Sequence, residues 1–146
     1  MNFYARTAVL ASGLALMLAA TPSFAEVVKY KADLSAKEEV PATDSAGAGK
    51  SDLSYDTDSK KLTWSITYEG LTGEATAAHF HGPAAVGANA PPVVPIDGAL
   101  TSPIAGEATL TDAQAADLAA GMWYFNVHTT KYPDGEIRGQ VVKAGM

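Results

Sequence analysis

Leu62-Thr63-Trp64-Ser65-Ile66-Thr67-Tyr68-Glu69 alternates apolar and polar residues with period two. Leu62, Trp64, Ile66 and Tyr68 fall on one face, and Thr63, Ser65, Thr67 and Glu69 on the other. Successive side chains of a strand point to opposite sides, and β-branched and aromatic residues suit a pleated, half-buried surface. The stretch therefore predicts a strand with one buried and one wet face. Outward from it the same pattern recurs in shorter runs: Val28 to Asp33, Ser51 to Tyr55, Ala75 to His81, Val93 to Ile96, Ile104 to Leu110, Met122 to Thr129 and Glu136 to Lys143.

Turn chemistry separates these runs. Asp56-Thr57-Asp58-Ser59, Gly70 to Gly73 and Tyr132-Pro133-Asp134-Gly135 are turns, while residues 35–49 and 82–92 are longer loops rich in Gly, Ala and Pro. One helix is expected. Thr111 and Gln114 have capping-box spacing, Asp112 lies in the first turn where the dipole favours an anion, and Gly121 is the stop. Many short strands with one brief helix predict an all-β fold, an antiparallel Greek-key-like sandwich or barrel. Trp64, Tyr68, Trp123 and Phe125 are expected in its core.

The chain has 146 residues and 47% hydrophobic composition, which suits one domain with a real core. Its formal net charge is -6, which argues against nucleic acid as a partner. There is no Cys, so disulfides, thiolate metal sites and sulfur nucleophiles are excluded. Residues 1–25 read as a signal peptide. Arg6 precedes an apolar run over residues 7–20, and Ser23-Phe24-Ala25 has the small-x-small form of a cleavage site. The run is shorter than the about 20 residues a comfortable membrane span requires. Without a Cys after it, a lipoprotein anchor is excluded. Residues 26–146 are then expected to be an acidic domain, periplasmic or secreted, with no membrane span after signal cleavage. The sequence names no protein partner.

His79, His81 and His128 are the only histidines. His79 and His81 sit two apart on a predicted strand, so they share a face, roughly 6.6 Å apart at about 3.3 Å per residue. Both could reach one ion at about 2.0 Å, and Phe80 between them points into the core. If the strand ending in His128 lies alongside, a third nitrogen joins. Three imidazoles suit copper or zinc, and the intrinsic affinity order favours Cu(II), with zinc second. Asn126 shares a face with His128 and is a candidate to orient an imidazole. Glu136 and Arg138 share a face and could form an ion pair, with anion steering by Arg138 the alternative. Read without a metal, the same histidines are polar residues on an exposed strand face.

The runs Thr76-Ala77-Ala78-His79-Phe80-His81-Gly82-Pro83-Ala84 and Gly121-Met122-Trp123-Tyr124-Phe125-Asn126-Val127-His128-Thr129 resemble the hallmark of the CHRD domain, as do Pro133 to Gln140 and Glu39-Val40-Pro41. The resemblance covers nearly all of residues 27–143 and implies a secreted β-rich module over 26–146. A fainter resemblance links Ile66 to Thr72, leading into His79-Phe80-His81, with the approach to the copper ligands of copper-zinc superoxide dismutase. Val127-His128 and Gly135-Glu136-Ile137-Arg138 are similar to that enzyme's C-terminal copper histidine and its substrate-guiding arginine. The resemblance implies His79, His81 and His128 as copper ligands and Arg138 as an anion guide. The chain departs from that enzyme in having no bridging fourth His, no zinc loop and no disulfide.

Three functions follow. The first is an exported metal-binding module, with copper favoured. The second is a superoxide-dismutase-like redox enzyme. The third is a metal-free extracellular structural or interaction module.

Overall fold

The structure is a computed structural model that describes residues 25–145. The expected signal peptide lies outside these residues except for Ala25. β1 (Val27–Ser35), β2 (Ala48–Asp56) and β3 (Lys61–Glu69) form an antiparallel meander. β2 begins earlier than its sequence pattern suggests, because Ala48, Gly49 and Lys50 find partners in Glu69, Tyr68 and Thr67. Gly49 is required there: a Cβ would meet the Thr67 carbonyl at 2.6 Å.

The chain then crosses to β4 (Ala75–His81) and β5 (Pro92–Pro95), and back to β6 (Ile104–Thr109) on β3. Helix α1 (Asp112–Ala119) leads into β7 (Tyr124–Thr129), β8 (Ile137–Gln140) and β9 (Val142–Lys143). The capping box is formed: Thr111 Oγ1 accepts from the Gln114 amide, and Gln114 Oε1 from the Thr111 amide. The helix ends as expected at Gly121, with φ +70°. There the Gly121 and Met122 amides donate to the Leu118 and Asp117 carbonyls.

The expected single strand over 136–143 is divided. β8 pairs with β7, and β9 switches to β1. The break falls at Val141, whose side chain is fully buried and whose amide bonds to the Trp123 carbonyl.

The strand order is β5-β4-β7-β8-β1-β2-β3-β6. Trp64 on β3 and Phe80 on β4 are separated by four intervening strands, yet their ring centroids lie 5.3 Å apart. The sheet is therefore rolled into a nearly closed barrel around one core. Phe80 is the hub, also touching Trp123 and Phe125. β8 pairs with β1 at Ser35–Arg138, and β9 extends that edge through Tyr30–Lys143 and Lys31–Val142.

Candidate metal centre

The site is assembled by the pairing of β4 with β7. Tyr124 stands opposite His81, Asn126 opposite His79, and His128 opposite Ala77. Period two puts all of these on the face away from the core, while Phe80, Phe125 and Val127 point inward and are fully buried. A register irregularity between Ala75 and Ala77 ends the regular ladder beside His128. Because Ala77 is small, the His128 ring has room to lean toward His79.

The three imidazoles converge. One ring nitrogen from each lies within 4.8 Å of the others. His79 Nδ1 and His128 Nε2 are 3.1 Å apart. Ligands about 2 Å from one ion lie roughly 3–4 Å from each other, so closing the set takes roughly 1–2 Å of ring movement.

Two rings are oriented by backbone. His81 Nδ1 is 2.8 Å from the Ala90 carbonyl, and His128 Nδ1 is 2.8 Å from the Pro133 carbonyl. A carbonyl only accepts, so each Nδ1 carries the proton and each Nε2 presents a lone pair. That is the outer arrangement by which proteins fix ligating histidines. His79 Nδ1 then donates to His128 Nε2 in the metal-free protein, and it would take the other tautomer to hold an ion through Nδ1. His81 Nε2 is buried and has no hydrogen-bond partner. Three neutral nitrogens with no thiolate fit copper or zinc.

Burial favours the neutral form of two of the rings. His79 is held below the ordinary histidine range by burial first, then by the neighbouring His128 and His81. His81 is also lowered, again by burial first, against the opposing pull of the Ala90 carbonyl and Asn126.

Loop 82–91 covers this face. Arg138, only 2% exposed, donates to Asn89 Oδ1 at 2.9 Å and to the Ala88 carbonyl at 2.6 Å. Its guanidinium lies 3.4 Å from the centre of the Tyr124 ring, on which His81 is stacked at 4.7 Å. Tyr124 also binds Ala90 through its hydroxyl. Arg138 and Glu136 do not pair with each other. Glu136 is fully buried and takes hydrogen bonds from Ser45, the amide and hydroxyl of Thr72, and Thr129. Burial works to raise its pKa, but those donors outweigh it and hold the carboxylate below its usual range. Its bonds tie three segments together and reach none of the imidazoles.

Asn126 is 3% exposed and lies between His81 and Glu39. Glu39 was part of the sequence resemblance but gave no sign of a role. It is 7% exposed, and burial pushes its pKa up to about 7 against the lowering effects of Arg138, the Val40 amide and Asn126. Tyr124, the Ala90 and Pro133 carbonyls and Glu39 are the site residues that sequence reasoning missed. Backbone carbonyls have no side-chain signature, and a single Glu in a loop shows no pattern. A cleft of about 400 Å³ lined by Glu39, Pro41, His81, Asn89, Tyr124 and Asn126 opens beside the cluster.

No curated protein and no solved structure matched the chain. The family model for the CHRD domain matches residues 30–141, a span that holds all three histidines, the covering loop and most of the core. The chain belongs to the CHRD-domain family.

Proposed function

We propose that this CHRD domain is an exported metal-binding module that holds one copper ion through His79 Nδ1, His81 Nε2 and His128 Nε2. The carrying observation is the convergence of the three nitrogens, with two Nδ1–H groups already committed to the Ala90 and Pro133 carbonyls. Scattered histidines on a polar strand face would not bring three ring nitrogens within 4.8 Å of one another. Copper ranks ahead of zinc on the affinity order for nitrogen ligands. Export rests on the cleavage-site pattern at Ser23-Phe24-Ala25.

Titration calorimetry with Cu(II) and Zn(II) tests the reading. One equivalent of Cu(II) should bind more tightly than Zn(II), and the His79→Ala, His128→Ala double variant should lose binding by at least about 100-fold. Unchanged affinity in the double variant would reject the site in favour of a metal-free module. Cell fractionation with N-terminal sequencing tests export: the mature chain should begin at Glu26.

A further inference from the structure

Asn126 borders the histidine cluster. It stands opposite His79, two residues before His128 on the same strand face, and its amide faces His81. On its other side the amide meets Glu39. Its Nδ2 is turned toward the Glu39 carboxyl, and both would crowd a Cβ on Gly135, Glu39 Oε1 at 2.4 Å and Asn126 Nδ2 at 2.8 Å. Gly135, at φ +132°, is what leaves them room. Oδ1 lies on the side of His81.

Two acceptors then meet without a donor. Asn126 Oδ1 and His81 Nε2 are both buried on the wall of one cleft, close enough for Asn126 to act on the His81 ring, yet among the described residues neither makes a hydrogen bond of normal geometry. Buried polar atoms are almost always satisfied, by a protein group, a water or an ion, and a cation held between two such acceptors beside three imidazoles would satisfy both. We infer that Asn126 Oδ1 is a fourth, weakly held ligand to the ion proposed above, giving the centre three nitrogens and one amide oxygen. The inference rests on the metal-binding reading and refines it. An amide oxygen is a hard donor. It favours Cu(II), which tolerates a long axial oxygen, and adds little for the softer Cu(I). Asn126 would thus bias the site toward the oxidised ion.

The test compares the full-length wild type with Asn126→Ala and Asn126→Asp. Each is loaded with one equivalent of Cu(II), studied by electron paramagnetic resonance, and competed with chelators for Cu(II) and separately for Cu(I). Asn126→Ala should weaken Cu(II) binding about 10-fold. It should also shift the copper hyperfine splitting and leave Cu(I) affinity within about 2-fold. Asn126→Asp keeps the shape, adds a charge and should tighten Cu(II), which keeps the idea falsifiable if the alanine variant does not fold. An unchanged spectrum and Cu(II) affinity in Asn126→Ala would overturn the inference. So would equal losses for Cu(II) and Cu(I), the mark of a purely structural residue. If the wild type binds no copper, the metal-binding reading itself fails. If it binds and Asn126 is indifferent, only the fourth ligand is lost.

Discussion

The two faces of β7 are both closed to solvent, but they are closed by different means. On the inner face Phe125 and Val127 pack against Phe80 and the rest of the core, where any apolar neighbour of the right shape suffices. On the outer face Tyr124, Asn126 and His128 are buried under loops, and each polar atom there needs a specific partner. Tyr124 and His128 find theirs in backbone carbonyls. Asn126 Oδ1 and His81 Nε2 do not. The core has unpartnered polar atoms too, in the indole nitrogens of Trp64 and Trp123, but on the outer face of β7 such atoms lie at the histidine cluster.

The largest effect should come from the inner face. Phe80→Ala removes the ring that contacts Trp64, Trp123 and Phe125, and should cost about 3–5 kcal/mol in urea unfolding. If it costs less than about 1 kcal/mol, the core is not organised around this residue.

Next comes the buried carboxylate at the edge of the outer face. Glu136→Ala leaves the hydroxyls of Ser45, Thr72 and Thr129 without their acceptor and should cost about 2–4 kcal/mol, with copper affinity nearly unchanged. Glu136 also gives a pH test. Its pKa is lowered in the fold, so its stabilisation is present above the ordinary glutamate pKa and is lost as pH falls through the folded value. Acid unfolding of Glu136→Gln should therefore be less steep than that of the wild type.

Glu39 should behave in the opposite sense. Its pKa of about 7 lies above the ordinary value of 4.5, so its contribution is complete below 4.5 and disappears as pH rises through 7. Between pH 5 and 8 the metal-free wild type should lose about 1–2 kcal/mol relative to Glu39→Gln, allowing for partial solvent screening. The pKa values of His79 and His81 are also lowered by burial, and taking the difference between the two proteins removes what they share. Equal pH slopes would show that Glu39 is solvated and not part of the outer face.

The smallest effect sharpens the comparison most finely. Tyr124→Phe keeps the ring under His81 and Arg138 but removes the hydroxyl that binds Ala90, and should cost about 1 kcal/mol. Hydrogen exchange should rise in loop 82–91 and not in the core strands. Uniform exchange would show that the loop and the core open together.

Much of this architecture is legible in local pattern. Period two over Leu62–Glu69 and Ala75–His81 sets strands and faces, and it places His79 beside His81 and Phe80 behind them. The capping box at Thr111 and the stop at Gly121 are equally local. Boundaries set by pairing are not: β2 starts at Ala48 because β3 has partners to offer, and the last strand divides because β9 finds β1.

What the amino-acid order alone determined is therefore the set of strands, the helix and the two-histidine face, since each follows from side-chain alternation over a few residues. Only the tertiary structure decided that His128 joins His79 across 49 residues of chain. The same is true of Arg138 lying buried under a loop, and of the Ala90 and Pro133 carbonyls fixing the ring tautomers. Those features depend on which strands meet and which loop covers them, a choice made by burying one common core and carrying no local periodicity of its own.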